Sequence, residues 1–369
     1  MAALPSVVIV LPSLKISGGV KEAIRLGREL ADAGVSVHVL AMWRSPQPVD
    51  NIALNVVALS NWQTRARIAA LHLPILFARF RRHRRSIDAG RESDHTHYVF
   101  THFATLPLAL AVPRDRRWFF VQGLEWMIYH PGLIRYILRW IILAFYRRGR
   151  LLTANNYLTS QIRRLDITVE AEAPIWADPA FRSTQDLCRD IDAVMVLRKG
   201  DHKRLDLYHA LIDEARRQAP EITLAVITPE TEVAQVVRDR VAHCWLRPDV
   251  DTMRTVYARS RCFVMLSEHE GFGLPPLEAM GSGCVPFCRD SGGVCAYMVD
   301  TLGELVFPLD WPVGRIVERL RAVLADPQAW ATYSAAARRI FDEGLERSRS
   351  RADRLVGSLA SPARTEHST

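Results

Sequence analysis

Two glutamates eight positions apart, Glu270 and Glu278, stand either side of a loop that Gly271 and Gly273 make conformationally free. The full stretch is Ser267-Glu-His-Glu-Gly-Phe-Gly-Leu-Pro-Pro-Leu-Glu-Ala-Met-Gly-Ser-Gly283, and it follows the apolar, strand-like run Cys262–Leu266. Pro275 and Pro276 suit the first turn of a helix, where a missing N–H is no loss, and Glu278 is expected in that turn. An ionised carboxylate accepts hydrogen bonds from two vicinal hydroxyls at once. Free amides from Phe272 to Leu274 at a helix N-terminus suit an anion. Two carboxylates and free amides thus converge on one helix N-terminus at the carboxyl end of a strand, which is where open α/β sheets bind nucleotides.

Arg198-Lys-Gly-Asp-His-Lys203 follows another strand-like run, Asp192–Leu197, and so opens on the same edge. It offers Arg198, Lys199 and Lys203 as fixed cations. In the N-terminal half, Gly18 and Gly19 follow the run Val7–Leu11, and Lys15 precedes them. His102 follows Tyr98–Thr101, and Gln122 and Glu125 follow Trp118–Val121. Cys284, Cys288 and Cys295 lack the paired C-x2-C of a zinc site and read as buried free thiols. No D-x-D motif follows any of the strand-like runs that carry these residues, so no metal ligands are assigned.

These residues must be carried by alternating strands and helices. The 369 residues are enough for two cores, and 49% hydrophobic with 24% charged content is that of a globular protein. Val7–Leu11, Val35–Ala41, Tyr98–Thr101, Trp118–Val121 and Arg150–Thr153 read as strands separated by helical patterns, the signature of a parallel sheet. Periodicity stops in the proline-containing stretch 172–181, the expected linker, and a second alternation runs from Asp192. The expected domains are 1–172 and 173–339, with a C-terminal helix 340–360 packing back on the first and a disordered Ser/Thr/Arg tail. Six scattered cysteines and no visible secretory signal favour the cytosol, and no apolar run approaches a bilayer span of about 20 residues. The net charge of +8 favours anionic partners. Two basic amphipathic segments, 62–85 and 133–150, read either as core-packed helices or as a dock on anionic lipid; no nucleic acid is expected.

The string Glu270-Gly-Phe-Gly-Leu-Pro-Pro-Leu-Glu278-Ala-Met-Gly-Ser-Gly283, set in two doubly wound domains, resembles the retaining glycosyltransferases of family four, which have the GT-B fold. The resemblance implies two Rossmann-like parallel-sheet domains facing an interdomain cleft, with acceptor bound by the first and donor by the second. It implies Glu270 on the donor sugar's hydroxyls, Glu278 on the ribose, and Arg198 with Lys203 (Lys199 competing) on the diphosphate leaving group. Phe272, Gly273 and Leu274 then face the diphosphate, Gly18 and Gly19 lie near it, and His102 lies near the reacting sugar. Gln122 replaces a histidine common in relatives, and Glu125 completes a Val-Gln-x-x-Glu stretch similar to that of a rhamnosyltransferase-like subset. Ser291-Gly-Gly293 matches the family's later Gly-Gly loop, with Cys295 where many relatives have Glu.

The implied activity is metal-independent hexosyl transfer, with retention, from a nucleotide-diphosphate sugar to a hydroxyl of a glycan or lipid-linked acceptor. Bacterial surface polysaccharide synthesis, in the cytoplasm or at the inner face of the membrane, is the expected setting, with no cofactor. A nucleotide-sugar epimerase of the same fold, or a non-catalytic basic membrane-binding protein on a transferase scaffold, shares part of this pattern. The first lacks the Gly-Phe-Gly-Leu-Pro string. The second leaves Glu270, Glu278, Arg198 and Lys203 unexplained.

Overall fold

The computed structural model describes residues 5–14, 17–44, 54–59, 69–89, 96–129, 131–182 and 187–360. Lys15, residues 62–68 of the first basic segment and the tail beyond residue 360 lie outside them. The chain forms two compact units: Met1–Trp126, Gly132–Ile175 and Arg349–Thr369 in one, Met127–Pro131 and Trp176–Ser348 in the other.

The first unit begins β1 (Ser6–Ser13), α1 (Gly18–Asp32), β2 (Ser36–Trp43), β3 (Asn55–Ala58), α2 (Ala69–Ala89) and β4 (Thr96–Phe100). It continues with α3 (Leu106–Ala109), β5 (Arg117–Val121), α4 (Leu133–Tyr146), β6 (Arg150–Thr153), α5 (Asn156–Arg163) and β7 (Ala171–Glu172). The strands pair in parallel in the order β3-β2-β1-β4-β5-β6-β7. Val7 to Leu11 are all buried, because helices on both faces of a parallel sheet make its central strands apolar throughout. Ser17 starts α1 by accepting the Val20 N–H on its hydroxyl at 3.3 Å, and Gly34, at φ +87°, ends the turn after it.

The second unit runs β8 (Ile191–Val196), α6 (Leu205–Gln218), β9 (Leu224–Thr228), α7 (Thr231–Val237), β10 (His243–Leu246), α8 (Val250–Arg259) and β11 (Ser260–Met265). Then come α9 (Leu274–Gly281), β12 (Val285–Arg289), α10 (Cys295–Leu302), β13 (Val306–Phe307), α11 (Val313–Ala325) and α12 (Pro327–Arg349). Its sheet is also parallel, in the order β10-β9-β8-β11-β12-β13, with Val264 beside Met195 where β11 meets β8. The direction of winding reverses between β8 and β11 here, and between β1 and β4 in the first unit. Ligands of such sheets bind at the carboxyl ends of the strands that flank this reversal.

The chain crosses between units at Ile175–Trp176, whereas residues 172 and 173 were the expected boundary. The start of the expected linker is strand: Ala171 pairs with Leu152, and Glu172 with Thr153. Trp176 is buried and donates its indole N–H to the Phe341 carbonyl at 2.8 Å. Instead of one helix from 340 to 360, α12 ends at Arg349 and α13 (Arg351–Ala360) follows, and the chain rejoins the first unit only at Arg349. The wholly buried Arg351 anchors this return. It hydrogen-bonds Glu29 at 2.8 Å and the Pro174 carbonyl at 3.0 Å, and meets Glu22 at 3.4 Å. Burial still pushes the Glu22 pKa up, against the pull of Arg25 and Arg351.

Candidate functional site

The second unit brings three strand-end loops together. After β8, Gly200 at φ +136° lets the chain enter a single tight turn over Asp201–Lys203. Arg204 then sits in the left-handed region at φ +53°, held by a two-point contact to Asp206 at 2.9 and 2.6 Å. The turn aims Lys203 at Glu270, with Nζ 2.7 Å from Oε1 and both side chains largely buried. The Glu268 N–H donates to the His202 carbonyl at 2.8 Å, tying the β8 loop to the β11 loop. The Glu270 N–H donates to Ser291 O at 2.9 Å, and the Gly293 N–H to Glu270 O at 3.1 Å, tying in the β12 loop.

Glycine is required at two points of this junction. A Cβ on Gly293 would stand 2.5 Å from the Phe272 nitrogen. Gly273 has φ +82°, and a Cβ there would stand 2.9 Å from Val294 Cγ1. The Tyr297 hydroxyl donates to the Gly273 carbonyl at 2.7 Å. The Phe272 ring packs against Tyr297 and Trp176 at centroid distances of 5.3 and 5.7 Å, so its side chain anchors the loop.

α9 starts at Leu274 after this loop, with the prolines in its first turn. Glu278 is therefore in the second turn, not the first: Gly273 caps the helix and Leu274, not Pro275, begins it. Glu278 lies beside the buried Tyr257 hydroxyl, whose pKa is held well above its usual value by burial and then by this carboxylate. Arg198 is exposed and makes no ion pair among the described residues. Lys199, also exposed, pairs with Glu232 at 3.3 Å.

In the first unit, Gly18 and Gly19 open α1 after β1, His102 follows β4, and Gln122 and Glu125 follow β5. A Cβ on Gly19 would stand 2.9 Å from Gln122 Oε1, which shows how closely Gln122 lies over the glycines. Glu125 Oε2 accepts the Phe103 N–H at 2.7 Å, and Oε1 is 3.8 Å from His102 Nε2. His102 Nδ1 accepts the Ala104 N–H at 3.1 Å, so a neutral ring carries its proton on Nε2, facing Glu125. Burial pushes the Glu125 pKa up to about 8, and the Phe103 N–H opposes that rise.

The basic segments differ from their expected form. Of the first, the described helix α2 spans Ala69–Ala89. In the second, α4 stops at Tyr146, and Arg150 belongs to β6. Arg150 is buried over the Trp118 ring and paired with Glu170 at 2.8 Å, so it offers no charge to a surface. α4 presents Leu133, Ile134, Tyr136, Ile137, Trp140 and Ile141 to solvent, Leu133 at 73% exposure.

Sequence patterning did not single out Tyr257, Tyr297 or Tyr208, the last of which holds the Leu266 N–H on its hydroxyl at 2.9 Å. A lone tyrosine on a helix carries no spacing that distinguishes such a prop from core. Cys262, Cys284 and Cys288 are buried free thiols, while half-exposed Cys295 points its Sγ at Asp290 Oδ1, 3.0 Å away. Among the described residues no group of three or more His, Cys, Asp or Glu is placed to hold a metal.

The second unit's three loops lie within a stretch, residues 190–340, that matches the family model Glycosyl transferases group 1. A 146-residue segment is 29% identical to the alpha-maltose-1-phosphate synthase of Mycobacterium tuberculosis, covering 35% of this chain and 38% of that one. A 55-residue segment is 46% identical to a putative glycosyltransferase 41 of Sulfolobus islandicus filamentous virus, covering 15% and 16%. The chain thus spans well under half the length of these curated relatives.

Solved structures match nearly end to end. Sucrose-phosphate synthase from Thermosynechococcus elongatus superposes with TM-score 0.70 at 15% identity, over 96% of this chain and 99% of that one. WaaG, a glycosyltransferase involved in lipopolysaccharide biosynthesis, gives 0.71 at 14%, over 96% and 100%. Anabaena Alr3699/HepE in complex with UDP and glucose gives 0.70 at 13%, over 96% and 100%. At these identities the likeness is one of fold, and that fold is GT-B.

Proposed function

We propose that the protein transfers a hexosyl group from a nucleotide-diphosphate sugar to a hydroxyl of a glycan or lipid-linked acceptor, with retention and without a resident metal. The observation that carries this reading is the Lys203–Glu270 contact at the reversal between β8 and β11. Such a pair of a cation and a carboxylate supports the reading, since the one suits a leaving diphosphate and the other sugar hydroxyls. The bond from the anomeric carbon to the diphosphate oxygen breaks, with Arg198 and Lys203 stabilising the charge that departs. The acceptor oxygen bonds to the same face of that carbon and gives its proton to the departing phosphate. Glu270 serves the sugar hydroxyls and is not the nucleophile. Glu278 takes the ribose, Gly18 and Gly19 serve the diphosphate, His102 the reacting sugar, and Gln122 and Glu125 the acceptor.

Bacterial surface polysaccharide synthesis at the inner membrane face is the setting we favour. The exposed Leu, Ile, Tyr and Trp strip on α4, with Arg135 and Arg139 on the same helix, supports docking on an anionic bilayer. No helix among the described residues is long and apolar enough to cross a membrane. The test is a donor hydrolysis and transfer assay on Glu278→Ala and Lys203→Ala, preceded by a thermal-shift screen of nucleotide sugars. Full activity in both variants would sink the mechanism as assigned.

A further inference from the structure

Arg289, the last residue of β12, is 4% exposed, and its Nε and Nη1 are buried with no hydrogen-bond partner among the described residues. A guanidinium is charged at every working pH, and an unpaired buried charge is strongly unfavourable. The charged groups around it are Arg204, Glu268, Asp206 and Asp310. Asp206 is gripped by Arg204, which also lies 3.8 Å from Glu268, and none of the three carboxylates forms an ion pair with Arg289. Burial and the neighbouring Arg204 accordingly disfavour its charged form.

Two residues on, Ser291 is also buried, and its hydroxyl is also without a partner. Ser291 is the residue whose carbonyl receives the Glu270 N–H, so its orphaned hydroxyl belongs to the loop junction, two residues from Arg289, whose charged neighbours Arg204 and Glu268 lie on the two loops tied there. The cations on the other side of that junction are differently disposed: Lys203 is neutralised by Glu270, and Arg198 is exposed. A fold that keeps one more arginine here, buried and unpaired, lacks an anion that its own side chains do not supply.

We infer that Arg289 and Ser291 form an oxyanion subsite of this unit, filled by an acidic oxygen group of the bound donor. That group is a diphosphate oxygen or a carboxylate carried by the transferred sugar. Only the identity of the anion rests on the nucleotide-sugar reading above; the subsite itself does not.

The test compares the wild type with Arg289→Met, Arg289→Lys and Ser291→Ala by thermal shift and calorimetric titration. The probes are inorganic pyrophosphate, glucuronate, UDP, UDP-glucose and UDP-glucuronate. Arg289→Met should lose at least tenfold in affinity for the anion concerned, Ser291→Ala several-fold, and Arg289→Lys should keep part of the binding. Without ligand, Arg289→Met should melt no lower than the wild type, since it removes an unpaired charge. Loss shared by pyrophosphate, UDP and both sugar nucleotides assigns the diphosphate; loss confined to glucuronate and UDP-glucuronate assigns the sugar carboxylate. If UDP and its sugars fail to bind while pyrophosphate stabilises the protein through Arg289, the donor reading falls and the subsite stands. The inference is overturned if no probe stabilises the wild type, or if affinities in Arg289→Met stay within twofold. A clearly lower melting point for ligand-free Arg289→Met also overturns it, because the guanidinium would then have a structural partner. Should that variant not fold, unchanged affinities in Arg289→Lys and Ser291→Ala overturn it as well.

Discussion

Lys203 Nζ and Glu270 Oε1 are 2.7 Å apart although 67 residues separate them in sequence. The cation assigned to the leaving group and the carboxylate assigned to the sugar thus hold each other in place before either meets a ligand. Lys203→Ala should lower kcat/KM by about 10²–10³-fold, the usual effect of removing one transition-state charge contact. Lys203→Arg should retain more of the activity than Lys203→Ala. A steady-state transfer assay decides it, and a loss below about fivefold would remove Lys203 from the leaving-group role.

Glu125 makes stability depend on pH. Its carboxyl titrates near 8 in the fold, above the usual carboxylate range, so the folded state holds a proton that the unfolded chain has released. Stability is then present in full below about pH 4.5 and falls as pH rises toward 8, by up to about 4 kcal/mol. Glu125→Gln keeps an acceptor for the Phe103 N–H and removes the titration. The variant should therefore equal the wild type near pH 5 and exceed it near pH 8.5 in denaturant melts. Parallel curves for the two proteins would show that Glu125 ionises normally.

The loop junction depends on glycine. Gly273→Ala places a side chain at φ +82° and against Val294, and should cost about 1–3 kcal/mol. Gly293→Ala faces backbone at 2.5 Å and should be worse, since the Phe272 amide cannot swing aside as a side chain can. Melting temperature and nucleotide affinity should fall together in both. An unchanged melting temperature in Gly293→Ala would mean that the two loops part easily.

Much of this site can be read from residue types. Gly271, Gly273, Pro275 and Pro276 constrain the backbone directly, so the loop and the helix after it follow from local rules. The central strands are legible because both faces are covered and the apolar runs are continuous. The edge strands β3, β7, β10 and β13 have two to four residues and carry no such run. The break between α12 and α13 falls at Ser350, with no glycine or proline to mark it. The state of Glu125 is set by the Phe103 amide and by burial, both tertiary facts. Arg289 is hidden for a like reason: an arginine ending a strand looks solvent-bound until its surroundings are known.

The apolar strip on α4 gives a prediction in lipid. Ile137→Ser with Trp140→Ser should weaken sedimentation with phosphatidylglycerol vesicles at least tenfold, given about 25 cal/mol for each Å² of apolar surface. Activity on a water-soluble acceptor should be unchanged. Equal sedimentation of variant and wild type would mean that α4 does not face lipid.

The Arg351 anchor also orders events in time. The second unit is almost one continuous stretch, Trp176–Ser348, whereas the first is completed only by α13. During synthesis the first unit is made first, yet Glu22 and Glu29 must wait for Arg351 to emerge more than 320 residues later. The later-made unit can therefore finish folding before the earlier one, which stays open to proteases and chaperones until the last helix of the described chain docks.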